Sequence, residues 1–286
     1  MLNPSIGVIV PTLCARRHLH FCLAPFIKSP LRPRILVIDS SSQDDTAEYA
    51  KELGADVLIV PAKEFNHGST RELARRHLKT DIVVMVTQDC YLENSRVLEI
   101  LVAPLIEMKS SVAYARQRPH IGAGVLESFL RDFNYPAESH IRSLADLKQY
   151  GSYSFFCSNS CAAYLNKALD EIGGFEHVLL GEDTVAVAKL LHKGHSIAYV
   201  AEAVARHSHT YTLREEFKRA YDTGKARRGY HHLLATGGLD TVRGKAYALA
   251  LTKKLFRECP QLLPYAALQT TVKWLGYKLG WNAENS

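Results

Sequence analysis

The first ninety residues alternate short apolar runs with helical patterns, and this alternation constrains the fold more than any other feature. Ser5 to Val10 is an apolar run ending at Pro11, and Arg16 to Lys28 fits a helix. Arg34 to Ile38 reads as a second strand ending in Asp39, and Asp44 to Leu53 as a helix stopped by Gly54. Val57 to Val60 is a third strand, stopped by Pro61; Gly68 to Leu78 is a helix; Asp81 to Val86 is a fourth strand, ending in Thr87-Gln88-Asp89. Short apolar strands between helices predict right-handed βαβ units around a parallel sheet. Ligands of such sheets bind beyond the carboxyl ends of the strands. Thr12, Asp39, Asn66, His67, Gln88 and Asp89 all fall on that edge.

Further along, Val112 to Ala115 is a strand leading into Arg116-Gln117-Arg118. Pro119 to Tyr150 reads as mostly irregular with short helical pieces, and long loops in compact domains are often functional. Ser160 to Tyr164 and Ile197 to Val200 are two more strands, and Val204-Ala205 leads into Arg206-His207-Ser208-His209. From Leu213 the pattern is helical, broken near Gly237-Gly238 and Pro260. A length of 286 residues suits an α/β domain over 1–210 and a helical extension over 211–286. No stretch approaches the roughly 18 to 20 apolar residues of a membrane span. Met1 to Val10 lacks the basic start and long apolar core of a signal peptide. The six cysteines show no Cys-x-x-Cys spacing and read as reduced, buried thiols of a cytoplasmic protein.

Gly181-Glu182-Asp183-Thr184 opens a helical pattern (Val185, Val187, Ala188, Leu190, Leu191) that ends at Gly194. Carboxylates at a helix N-terminus sit on the positive end of its dipole and stay ionised. At a cleft edge such a carboxylate can take a proton from a hydroxyl nucleophile; elsewhere it is a helix cap. Asp39, followed by three serines, either accepts the imide N–H of uracil or thymine or makes an Asx-turn. Asp89 either holds Mg²⁺ or Mn²⁺ by one oxygen beside diphosphate oxygens, or is a turn residue. His207 and His209 lie on one side of an extended segment, as metal or diphosphate contacts or as hydrogen-bonded edge histidines. In Asn66-His67-Gly68-Ser69-Thr70-Arg71, Gly68 lets a ligand approach the backbone and Arg71 can pair with a phosphate or carboxylate. The alternative there is a helix start with a surface arginine.

The motifs that carry a resemblance are Val10-Pro11-Thr12, Val37-Ile38-Asp39-Ser40-Ser41-Ser42, Asn66-His67-Gly68, Thr70-Arg71, Thr87-Gln88-Asp89, Ala115-Arg116-Gln117, Asn134-Tyr135-Pro136, Ser158-Asn159, Gly174-Phe175, Gly181-Glu182-Asp183 and His207-Ser208-His209. In this order and spacing they resemble the family 2 nucleotide-sugar glycosyltransferases of GT-A fold, and within them a bacterial rhamnosyltransferase branch. The resemblance spans Ile6 to Lys225. It implies a Rossmann-like, mostly parallel sheet flanked by helices. It implies that Pro11, Thr12 and Asp39 hold a pyrimidine nucleoside, and that Asn66, Gly68, Arg71, Gln88, Gln117 and Glu182 complete the nucleotide-sugar site. Asp89 would bind Mg²⁺ or Mn²⁺ with His207 and His209, and Asp183 would be the catalytic base. Gln88 stands where many relatives have a first acid, and Tyr91-Leu92 replaces a Pro-containing turn.

The donor so implied is dTDP-β-L-rhamnose, transferred with inversion to a hydroxyl of a lipid-linked or oligosaccharide acceptor in bacterial surface polysaccharide (lipopolysaccharide) synthesis. One base and one metal site without a separate nucleophile suit a single displacement. The alternatives are a UDP-hexose donor on the same fold, or a catalytically silent assembly partner in a membrane complex.

Net charge is +6, but residues 210–286 hold 13 Lys and Arg against 6 Asp and Glu, so the rest of the chain is near neutral. A basic tail on a neutral domain predicts an anionic partner. Leu262 to Trp281 mixes leucines with Tyr265, Trp274, Tyr277, Trp281, Lys273 and Lys278. This suits a helix lying in the inner face of an anionic plasma membrane, with no nucleic-acid role. The alternative is that it packs on the domain or forms a homodimer interface.

Overall fold

A computed structural model describes residues 4–178, 180–238 and 240–283. The chain opens with β1 (Ile6–Thr12), α1 (Arg16–Ile27), β2 (Arg34–Asp39), α2 (Thr46–Glu52), β3 (Asp56–Ile59), α3 (His67–Leu78) and β4 (Ile82–Val86). These strands pair in parallel in the order β3-β2-β1-β4. Their apolar runs are continuous because helices cover both faces. Val8, Val10, Val37 and Val84 meet Leu19, Leu23 and Phe26 of α1; Ile9, Leu36, Val83 and Met85 meet Ala74 and Leu78 of α3.

Next come β5 (Tyr91–Leu92), α4 (Val97–Ile106), β6 (Val112–Arg118), α5 (Val125–Asn134), β7 (His140–Arg142), α6 (Leu147–Tyr150), β8 (Cys161–Leu165), α7 (Asn166–Glu171), α8 (Glu182–His192) and β9 (Ile197–Arg206). The sheet continues β4-β8-β6-β9-β5, with β7 on β9. β8 runs antiparallel to β4 and β6, whereas β6 and β9 are parallel. Parallel pairing therefore holds in two blocks with one reversed strand between them. That reversal puts the start of β8, beside Ser158 and Asn159, at the carboxyl edge of its parallel neighbours. Residues 119–150 are more ordered than their sequence suggests: α5 packs Phe129 into a small core with Leu251 and Leu255, and β7 pairs with β9. Arg142 is fully buried there and donates to the carbonyls of Tyr153 and Phe156, at 2.7 Å each. β9 is one strand through to Arg206, with a register shift opposite Ala115/Arg116. All six cysteines are unbridged, and Cys14 is exposed rather than buried.

The tail forms α9 (Leu213–Gly229), α10 (His231–Leu234), α11 (Asp240–Glu258) and α12 (Leu263–Asn282). α12 lies against α9 through glycines: a Cβ on Gly276 or Gly280 would overlap the carbonyls of Phe217 and Tyr221. Gln269 and Lys273 reach Glu216 at 3.0 and 3.5 Å. The interfacial reading of α12 is thereby split. Tyr277 donates to Asp240 at 3.0 Å and Trp281 packs on His231, while Leu268, Trp274, Leu275 and Leu279 stay exposed. Among the described residues, no helix is long and apolar enough to cross a membrane. Gly280→Ala is expected to wedge α12 off α9 and cost about 1 to 3 kcal/mol, as overpacking does; an unchanged denaturation midpoint would contradict this contact.

Candidate active site

The carboxyl edge gathers the expected residues into two groups. At the ends of β1 and β2, buried Asp39 accepts from the Thr12 hydroxyl at 2.8 Å, the Ser42 hydroxyl at 2.6 Å and the Ser42 amide at 2.9 Å. Two carboxylate oxygens offer about four lone-pair sites, so these three bonds leave one site for a nucleoside donor. The Asx-like turn and a nucleoside contact are both compatible with this geometry. Ser41 adopts φ 56° and its hydroxyl donates to the Val60 carbonyl, which fixes the loop. Pro11 sits in β1 opposite Ile38. Gln88 grips the β1–α1 loop with both ends of its amide: Oε1 accepts from Leu13 N at 2.9 Å and Nε2 donates to Leu13 O at 3.3 Å.

Asp89 lies between two imidazoles, 3.6 Å from His207 Nε2 and 3.3 Å from His209 Nε2. The three ligand atoms lie within 4.8 Å of one another. Gln117 explains the orientation of His207. Its Nε2 donates to Ser158 Oγ at 2.8 Å, so its Oε1 is left to accept from His207 Nδ1 at 2.9 Å. That fixes the proton on Nδ1 and leaves the Nε2 lone pair facing Asp89, the arrangement in which imidazoles ligate metals. Burial first, then Arg131, holds His207 well below its usual pKa; burial also lowers His209, against the pull of Asp89. One carboxylate and two neutral imidazoles fit a divalent cation. Gln117 thus supports His207.

The second group surrounds the start of α8. Half-buried Asp183 accepts from Asn159 N at 3.1 Å and Thr184 N at 2.7 Å. Burial first, then the charge of Glu182, pushes its pKa up to about 6. The helix end alone would keep it low, and here it is outweighed. Glu182 itself is enclosed. Its Oε1 lies 3.1 Å from Arg71 Nη1, with side chains only 3% and 6% exposed, and accepts from Asn159 Nδ2 at 3.0 Å. Arg71 also donates to the carbonyl of His67. Arg71 and Glu182 are therefore a buried ion pair behind Asp183. Asn66 caps α3, accepting from Gly68 N and Ser69 N at 3.1 Å each. Gly68 is needed because a Cβ would strike the Glu176 carbonyl, not because a ligand approaches.

Several neighbours carried no signal in the sequence. His120 Nε2 lies 3.1 Å from the Asp89 carbonyl, and its amide donates to Ser208. Arg219 stacks on Tyr211, 4.7 Å from the ring centre, and Tyr211 stacks on His209 at 5.1 Å. Arg219 also lines a cavity of about 320 Å³ with Asn66, His67 and Leu180, next to the Asp183 loop.

A curled mixed sheet with an Asp/His cluster at its carboxyl edge and a carboxylate at a facing helix start defines a GT-A glycosyltransferase. The sequence pattern of "Glycosyltransferase like family 2" matches residues 4–222, and the chain belongs to that family. Among its relatives, the O-antigen chain rhamnosyltransferase WbaN of Salmonella anatum is 37% identical over 281 residues, covering 97% of this chain and 89% of that protein. RfbN of Salmonella typhimurium, also an O-antigen chain rhamnosyltransferase, is 37% identical over 280 residues, 96% of this chain and 89% of that protein. The mannosyltransferase PcManGT from Pyrobaculum calidifontis, solved with GDP-Man and Mn²⁺, superimposes with a TM-score of 0.64 at 16% identity, covering 99% of this chain and 89% of that one. S. aureus TarS 1-349 does so at 0.61 and 16%, covering 97% and 80%.

Proposed function

We propose that the chain transfers L-rhamnose from dTDP-β-L-rhamnose, with inversion, to a hydroxyl of a saccharide acceptor, lipid-linked or oligosaccharide, in O-antigen-type polysaccharide synthesis. Beside the two rhamnosyltransferase relatives, one observation carries this reading: a relay of bonded groups joins the base to the metal-type cluster. Asp183 is held by Asn159 N; the adjacent Ser158 is held by Gln117; Gln117 holds His207, which faces Asp89. Asp183, fixed by two N–H groups, accepts the proton of the attacking hydroxyl. Asp89, His207 and His209 would hold a divalent cation, which would supply positive charge to the departing nucleoside diphosphate. Asp39 and Thr12 hold the base of the nucleotide. Because no side chain is assigned as a nucleophile, the product is α-linked, which the anomeric coupling in the NMR spectrum of the product reports.

Imidazole ligands favour Mn²⁺ over Mg²⁺, which prefers an all-oxygen shell. We expect Mn²⁺ binding, followed by its EPR signal, to weaken at least tenfold in Asp89→Ala, by analogy with ligand-shell losses. Full transfer activity in excess chelator would remove the cation from the mechanism. The donor is tested by calorimetry with dTDP-rhamnose, UDP-glucose and GDP-mannose in the presence of Mn²⁺. Guanine also offers a ring N–H, so Asp39 rejects it by size: the larger purine cannot seat that N–H where a pyrimidine would, and a mispaired buried acceptor costs about 1 to 3 kcal/mol, so GDP-mannose should bind roughly ten- to hundredfold more weakly. Equal binding of GDP and dTDP sugars would refute the role of Asp39; preference for UDP-glucose would refute the rhamnosyl donor. Tight binding of every donor with no turnover would point to a silent assembly partner.

A further inference from the structure

α11 carries an apolar row that nothing among the described residues covers. Val242, Leu249 and Phe256 are 69%, 60% and 74% exposed. They recur every seven residues, so at 100° per residue they fall within about 40° of one another. Lys245 flanks the row on one side and Lys253 on the other, with Arg257 beyond it, and all three are exposed. None of the three makes a salt bridge among the described residues, whereas Lys254, turned further in, pairs with Glu258 at 3.5 Å. The opposite face of α11 accounts for its packing. Leu251 and Leu255 enter the core with Phe129, Tyr247 packs on Phe129 and Phe133, and Arg243 stacks on Tyr153. The row is therefore surplus to folding. α12 adds a second outward row, Leu268, Leu275 and Leu279, with Lys278 over the Trp274 ring at 4.9 Å.

We propose that the outer face of α11 docks on an anionic lipid bilayer, lying in the interface with Val242, Leu249 and Phe256 inserted among the acyl chains. Charge selects this occupant. A row with lysines on both flanks is the arrangement in which long basic side chains reach the headgroups while the apolar row sinks below them. The 13 Lys and Arg against 6 Asp and Glu of residues 210–286 give the same sign to the whole extension. A second copy of this chain, docked face to face, would oppose lysine to lysine. Membrane contact thus rests on α11 more than on α12, whose Tyr277 and Trp281 are engaged elsewhere.

The test is flotation of the full-length protein with vesicles of phosphatidylcholine alone and of phosphatidylcholine with 30% phosphatidylglycerol (about a third of the lipid anionic, a common composition for such assays of the surface potential). The expected result is co-flotation with the anionic vesicles only, reversed by about 0.5 M salt because surface attraction is screened. Leu249→Glu/Phe256→Glu, both exposed, should fold normally and lose at least tenfold in vesicle partitioning, while its transfer to a water-soluble acceptor stays at the wild-type rate. That last readout separates this inference from the donor assignment, since vesicle binding needs no turnover. Wild-type protein that floats with neither vesicle, or a double variant that floats like wild type, overturns the proposal. So does a variant that leaves vesicles untouched but dissociates a dimer in sedimentation analysis, which would make the row an interface between copies.

Discussion

Asp183→Asn is expected to reduce transfer by about 10² to 10⁴, the usual contribution of a positioned general base, while dTDP binding stays near normal. The side chain is nearly isosteric, and its supports, Asn159 N and Thr184 N, belong to the backbone. The amide keeps one acceptor oxygen, so one of the two N–H supports loses its partner along with the proton-accepting charge. The pH dependence carries a second signature. The base works in its ionised form, and its pKa is raised to about 6. Activity should therefore fall as pH drops through about 6, two units earlier than for an ordinary aspartate. A variant with near-normal turnover, or an acid limb that stays flat to pH 4, would end the assignment of Asp183.

The second large effect is on stability. Glu182→Gln should destabilise the protein by about 3 kcal/mol or more, because it leaves the Arg71 guanidinium buried without a counter-charge. The pair is closed over on both sides, so solvent cannot take the place of the carboxylate. Replacing both partners, as Arg71→Met/Glu182→Met, should recover most of the loss, since an apolar pair of similar volume removes the stranded charge as well. Denaturant titration of the two variants and the wild type gives the comparison. A double variant no better than the single one would mean the pair does more than compensate charge. Glu182 is also the second cause of the raised pKa at Asp183. In folded Glu182→Gln the acid limb of the pH profile should move to lower pH, which a purely structural role for Glu182 would not produce.

These two results concern neighbours in sequence whose roles diverge in space, and this marks where reading the chain alone stops. The β1 to β4 frame was legible because each strand is a covered apolar run and each helix has its own stop, at Gly54 for α2. The edge residues followed from strand ends alone. Arg71 was legible as a cation near a carboxylate or phosphate, but its partner lies 111 positions away, beyond any local pattern. Gly68 signals a close approach, yet the approaching group is the Glu176 carbonyl, 108 positions away. His207 and His209 show their shared side by spacing; Gln117, which sets the tautomer of His207, gives no sign of it. The direction of β8 was invisible as well, since an apolar run reads the same whichever way it enters a sheet. α5 was legible only as one of the short helical pieces expected in 119–150, without bounds, and β7 has only three residues. α11 was legible as a helix, but its exposed row became evident only once the opposite face was seen to hold the core contacts.

The reversed β8 has a consequence for how such enzymes diversify. β6 leaves the sheet at the ligand edge, and β8, because it runs the other way, re-enters at the same edge. The 42 residues between them, 119–160, therefore begin and end at one edge, stapled by the 2.8 Å bond from Gln117 to Ser158. Closure entropy sets little limit on the length of such a segment, about 0.6 kcal/mol for each doubling, so its cost lies in the contacts that α5, β7 and Arg142 make. Its two anchors are also members of the relay that joins the base to the metal-type cluster. Evolution can exchange the excursion, and with it the surface offered to an acceptor, while the chemistry at its root keeps its spacing.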